Sequence, residues 1–326
     1  MAIKTESSQR KMQLGWSNFK LTRELSLVFL TVLTILGASF VFPNSFPSFV
    51  NAAGILRNFA LDAIMCAGMM LLMVSGAFDL SIGSIYSLVG VLTAALMKNS
   101  GWPVWLAVLA GITAALLCGL INGFITAKIR VNALITTLGT QQIFRGLAIW
   151  IGGTNIPALP ESFNKIAQSK ILGIQGFVWI MLVVVLITHI LLSRTRFFRQ
   201  LYYIGGNVKA AKLSGINVDR MQIFAFVFMG LMAGLAGMLF ASRLGAAVAV
   251  AGDGKELAII TATILGGASL SGGKGNIFGA LIGVVFIAIV NNLMILATVE
   301  AYWQSIVIGT ILILAVATDW LVNRGK

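Results

Sequence analysis

Apolar residues collect into ten runs, at roughly 25–42, 52–75, 80–97, 103–127, 132–152, 174–193, 221–242, 254–271, 276–298 and 302–322. Each is near the ~20 residues that a helix needs to cross a bilayer. The pattern predicts an all-α membrane protein of about ten transmembrane helices, some broken or short, with 52–97 also readable as one broken helix plus a crossing. No polar stretch is long enough for a soluble catalytic domain. The two longest connections are 153–173, with Pro157, Pro160 and Glu161, and 194–220.

Charge gives the runs a direction. Threaded from a cytoplasmic N-terminus, the inside segments collect Lys4, Arg10, Lys11, Lys20 and Arg23, then Lys128 and Arg130, then Arg194, Arg196, Arg199, Lys209, Lys212 and Arg220. Lys274, Arg324 and Lys326 bring that set to sixteen; the outside segments hold Lys98, Lys165, Lys170, Arg243 and Lys255. Basic residues concentrate on the cytoplasmic side of membrane proteins, so an even number of crossings with both termini cytoplasmic is expected. The organisation is then a tail of 1–24, one transmembrane domain over 25–322, and a tail of 323–326. The apolar run near Leu25 has no small-residue cleavage site behind it and reads as a retained first span.

Composition agrees. The 326 residues are 58% hydrophobic and 10% charged, with a mean hydropathy of +0.96. A soluble domain carries about 25% charged residues, so lipid is expected to be part of this chain's solvent. The 35 glycines lie within apolar runs, where small residues let membrane helices approach closely. The net charge of +13 reflects topology and not a nucleic-acid stripe. Cys66 and Cys118 fall in apolar spans and read as buried thiols, with no metal site implied.

The segment RTRFFRQLYYIGGNVKAAKLSGINVDRMQ (194–222) carries the most specific signal. Lys209-Ala210-Ala211, followed after three residues by Gly215, has the spacing of the EAA signature of ABC importer permeases, with Lys in place of Glu. Two alanines on a short helix offer a smooth surface to a partner, and Gly215 permits the left-handed turn that ends it. The run GGNVKAAKLSGINVDR resembles the coupling loop of the ribose, arabinose and galactose class of ABC permeases. So do SGAFDLSIGS at 75–84, NALITTLGTQQIFRGLA at 132–148 and ELAIITATILGGASLSGGKGNIFGALIG at 256–283. The resemblance covers nearly all of the hydrophobic chain, and the blocks stand in the family's order. It implies a bacterial inner-membrane permease, paired with a second copy or a related permease, an ATP-hydrolysing subunit on the cytoplasmic face and a periplasmic sugar-binding protein. Asn207, Ala210, Ala211 and Gly215 are the implied ATPase-coupling residues. The chain would need no cofactor, ATP being bound by the partner subunit, and would not itself be an enzyme.

Other motifs are weighed beside this one. GGASLSGGKG at 266–275 has Ala268 where a P-loop needs its first glycine and Gly275 where it needs Ser or Thr, so tight backbone between spans is expected there. Gly76-x-x-Asp79-Leu80-Ser81-x-Gly83 partly echoes Gly266-x-x-Ser269-Leu270-Ser271-x-Gly273. An ionisable group at the bilayer centre costs about 2.5–3.5 kcal/mol, which singles out Asp62, Asp79, Arg145 and His189. Asp79 fits a cap at a helix start, Asp253 and Glu256 fit a capping box, and His189 fits an interfacial position. Asp79 and the donors Gln141, Gln142 and Arg145 are candidates for the lining of a translocation path.

Three function classes compete. A membrane enzyme needs a constellation of acids, bases or metal ligands, which one histidine and scattered carboxylates do not supply. A proton- or sodium-coupled secondary transporter would use Asp62 and Asp79. An ABC permease needs only a path and a coupling surface, and 194–220 favours it. The sugar, pentose, hexose or a furanosyl signal of the autoinducer-2 kind, is not legible in the sequence.

Overall fold

Thirteen α-helices form among the described residues of this computed structural model, which describes residues 23–323; most of the expected N-terminal tail and residues 324–326 lie outside that range. They are α1 (Arg23–Val41), α2 (Phe49–Val74), α3 (Ile82–Lys98), α4 (Val104–Phe124), α5 (Ala133–Gly152), α6 (Glu161–Gln168), α7 (Gly176–Arg194), α8 (Arg196–Gly206), α9 (Val208–Leu213), α10 (Val218–Leu244), α11 (Lys255–Leu265), α12 (Ile277–Leu296) and α13 (Ala301–Asn323). Two-residue strands β1 (Asn155–Ile156), β2 (Lys170–Ile171), β3 (Ile174–Gln175) and β4 (Ala247–Val248) pair antiparallel, β1 with β4 and β2 with β3.

The ten apolar runs each hold one helix, and among the described residues seven helices are long and apolar enough to cross a membrane: α1, α2, α4 with its π-helical continuation to Ile129, α7, α10, α12 and α13. α3 is shorter, at 17 residues. The run at 254–271 departs from expectation. Its helix, α11, stops after 11 residues, about 16 Å of rise, half the thickness of a hydrocarbon core. The cause is the Gly266-Gly267 pair. A Cβ at Gly266 would lie 2.2 Å from Gly279 O on α12, and Gly267 takes φ +100°. Backbone must approach backbone here, and the chain must turn, before the apolar run ends.

The centre of the molecule is α10, packed against α2, α3 and α4. From Ala60 onward α2 is buried on nearly every side, as a helix apolar all round must be. Apolar attraction between helices vanishes in lipid, so close packing has to hold them. Gly237 of α10 lets Tyr86 of α3 approach until a Cβ there would sit 2.0 Å from its carbonyl. The outer helices show the converse. Phe29, Leu36 and Phe40 of α1 and Ile313 and Leu314 of α13 are exposed large apolar residues, fit for lipid.

Inter-helix segments gather at two opposite ends. At one end Leu159 N donates to Gly245 O (3.0 Å), Ala249 N to Thr154 O (3.3 Å) and Arg243 to Arg57 O (3.1 Å). The expected loop 153–173 is found there as α6 and short strands packed on the end of α10. At the other, basic end, Gly273 N donates to Val74 O (2.9 Å), Tyr202 to Gly275 O (2.8 Å), and Lys128 pairs with Asp219 at 3.5 Å.

Candidate functional site

At the basic end, α8 and α9 form one bent unit. Phe198, Leu201 and Ile204 recur at helical spacing and are buried, while Arg196 and Arg199 point out. Phe197 and Phe198 dock edge-on against Phe224 of α10, with ring centroids 5.0 and 5.3 Å away. Asn207 ends α8 and caps α9: its N–H donates to Tyr203 O (3.0 Å) and its side chain accepts from Ala210 N (3.0 Å). Gly215 takes φ +80°, so the chain leaves α9 by the left-handed turn expected of that position. Ile216 N then closes back on Ala211 O at 3.1 Å.

The alanine pair does not present one face. Ala210 is exposed, but Ala211 is buried as part of the apolar core, and its carbonyl accepts from Ile216 N. Ala211, though buried, is among the residues that border the groove beside α9 together with Ala210. What α9 offers outward is Val208, Lys209, Ala210, Lys212 and Leu213, the last 91% exposed. Beside it lies an open groove of about 750 Å³ bordered by Arg196, Arg199, Tyr203, Asn207 and Ala210.

The second candidate region is interior. Arg145 of α5 donates to Ser87 Oγ of α3 (2.9 Å) and to Ala249 O (2.6 Å), and pairs with Asp253. One turn earlier, Gln141 donates to Glu256 Oε1 of α11 (3.1 Å). Ser87 Oγ also accepts from Gly252 N (3.1 Å), and a Cβ on Gly252 would lie 1.9 Å from Gly83 O. The segment 249–256 is thus clamped onto α3 and α5. Glu256 Oε2 and Ser84 Oγ are buried with no partner, in a polar region with capacity to spare.

Of the candidate path residues, Gln141 and Arg145 share this cluster; Gln142 and Asp79 do not. Gln142 is exposed, about 100° round α5 from Gln141. Asp79 is fully buried elsewhere, accepting from Ser81 N (2.7 Å), Ser81 Oγ (2.6 Å) and Asn122 (3.0 Å). It organises the turn into α3. Asp62 is paired with Lys255, whose ammonium lies 5.8 Å over the Tyr86 ring. The capping box at 253–256 is not formed: Gly254 is the N-cap, at φ +76°, and the two carboxylates are spent on Arg145 and Gln141. Ser87, Asp253 and Glu256 were missed as cluster members because a contact between distant segments leaves no trace in spacing. The one available signal was Arg145 itself, which needs a carboxylate partner inside a membrane. His189 packs at a tilt of 59° against Phe278, centroids 4.4 Å apart. Cys66 and Cys118 are buried free thiols, Cys66 within 3.2 Å of Thr263 Oγ1.

Comparison with known proteins supplies the context for both regions. The family described as branched-chain amino acid transport system / permease component matches residues 51–316. The chain is 38% identical to the L-arabinose transport system permease protein AraH of Escherichia coli (strain K12), over 92% of this chain and 91% of that protein. It is 36% identical to the ribose import permease protein RbsC of the same organism, over 98% of this chain and 99% of the relative. With the autoinducer 2 import system permease protein LsrC of Shigella flexneri the identity is 32%, over 93% of this chain and 87% of that one. End-to-end likeness to transport permeases, on a chain of lipid-ready helices with a capped, exposed helix at its basic end, places it among the permease components of this family, as a multi-pass protein of the bacterial inner membrane.

Proposed function

We propose that this chain is the membrane subunit of an ATP-driven importer for a monosaccharide or a similar furanosyl solute. It crosses the membrane ten times with both termini cytoplasmic, takes its cargo from a periplasmic binding protein, works with a second permease copy and couples to a separate ATPase. The relatives named for arabinose, ribose and autoinducer 2 import support the substrate class. The observation that carries the coupling role is α9: six residues, capped by Asn207 and closed by Gly215, held on the surface at the end richest in Lys and Arg. A chain that hydrolyses nothing itself must receive work through such a rigid surface element.

The outer half of the path is best assigned to the cluster of Ser87, Gln141, Arg145, Asp253 and Glu256. Its hydroxyl, amide and charged groups match the hydrogen bonding of a sugar, and Asp253, with a side chain 67% exposed, reaches solvent. The proton-coupled alternative finds less support: Asp62 is ion-paired with Lys255, and Asp79 is held by three donors within the turn into α3. The test is uptake of labelled pentoses and hexoses by cells expressing the chain with its partner subunits. Uptake should vanish when the ATPase is deleted and survive a protonophore at constant ATP; the opposite pattern would support the proton-coupled reading.

A further inference from the structure

Three chain segments meet at the basic end with no side chain between them. A Cβ on Gly205, near the end of α8, would lie 2.0 Å from Val74 O and 2.4 Å from Gly273 N. One on Gly272 would lie 2.8 Å from both Gly205 Cα and Gly76 Cα, and one on Gly273 would lie 2.9 Å from Gly206 Cα. Gly273 N donates to Val74 O at 2.9 Å, and the Tyr202 hydroxyl donates to Gly275 O at 2.8 Å. The loop after α2 and the loop after α11 are therefore tied to each other and to α8.

The two loops are built alike. In one, Ser81 N donates to the side chain of Asp79 (2.7 Å); in the other, Ser271 N donates to the side chain of Ser269 (3.3 Å). The echoed motif is a repeated turn. Each loop also connects to the interior polar cluster. The first leads directly into α3, which carries Gly83 and Ser87; the second ends α11, whose other end carries Glu256. Only 11 residues of α-helix separate the junction from the clamp along that route.

We infer that Gly205, Gly76 and Gly272 form a transmission joint that passes displacement of the α8–α9 unit to α3 and α11 together, and so opens and closes the Arg145–Asp253 and Gln141–Glu256 clamp. Backbone resting on backbone has no rotamer that can yield, so a push on α8 reaches both loops without slack. A side chain at Gly205 would pry the three segments apart. The inference rests on the importer reading above.

The experiment uses the full complex of chain, ATPase and sugar-loaded binding protein in proteoliposomes, and measures sugar moved per ATP hydrolysed. Gly205→Ala should assemble and hydrolyse ATP but lose at least tenfold in that ratio. A fluorophore attached through Val250→Cys, at an exposed position on the clamped segment, should lose its ATP-dependent change. A ratio within twofold of wild type, or uptake and hydrolysis falling in proportion, would overturn the joint. Should Gly205→Ala not assemble, Tyr202→Phe decides: it removes one bond to the second loop and keeps the ring. A several-fold drop in the ratio supports the joint, and an unchanged ratio overturns it. Wild-type complex without any ATP-driven uptake would remove the importer reading, and the inference with it.

Discussion

Ala210 and Ala211 are neighbours in sequence and opposite in environment, which makes them a sharp pair to substitute. Ala210→Glu adds a solvated charge on an exposed face and should leave expression and thermal stability unchanged. Ala211→Glu buries an uncompensated carboxylate and should lower the melting temperature of the purified chain, since such burial costs several kcal/mol. Equal stability of the two variants in a thermal-shift assay would contradict the placement of α9. Arg145 and Asp253 form a second pair. The Arg145 side chain is 13% exposed and holds three partners, whereas Asp253 faces water. Arg145→Met strands Asp253 in reach of solvent but frees segment 249–256; Asp253→Asn leaves Arg145 with Ser87 and Ala249 O. Uptake should fall tenfold or more in the first variant and only a few-fold in the second, as transport assays can determine. Residue types near Arg145 were legible as polar and intramembrane, but their partners were not. Pairing across distant segments depends on tertiary register, and Gln141 and Gln142, adjacent in sequence, point in different directions from α5 because a helix turns about 100° per residue.

At the scale of elements, apolar run length located one helix in each run and gave their order, because lipid leaves the backbone few alternatives to a helix, though seven helices among the described residues are long and apolar enough to cross. The same measure overran at α11, where the run stays apolar past Leu265 but the backbone turns at Gly266-Gly267. Hydropathy counts side chains and is blind to a break made by their absence. Close contacts between helices follow the same rule. Gly237→Leu, on the α10 face against Tyr86, should destabilise the chain by about 1–3 kcal/mol or more through overpacking, while Gly139→Ala, with nothing within 4 Å of its Cβ in the isolated chain, should be neutral. Melting curves of the two purified variants in one detergent provide the comparison, and a Gly237→Leu chain as stable as wild type would refute the α3–α10 approach.

For the whole molecule, the two ends can be told apart by what gathers there: α8, α9 and the two echoed turns at one, α6 and the strand pairs at the other. On the proposed ten-crossing arrangement the first end faces the cytoplasm. Reporters fused at residue 326 and inserted in 153–173 should then report opposite sides; agreement between them would overturn the ten-crossing arrangement. The proposed division of labour, with cargo received at one end and work delivered at the other, rests on that polarity. It is tested most directly by Ala210→Glu in the reconstituted complex. That substitution leaves the interior clamp, Asp62 and Asp79 untouched and alters only the outward face of α9. Loss of ATPase co-purification by tenfold or more, with ATP-driven sugar uptake lost in parallel and the chain still folded, is the expected result. Normal uptake and normal ATPase binding in that variant, with uptake stopped instead by Asp62→Asn, would contradict it.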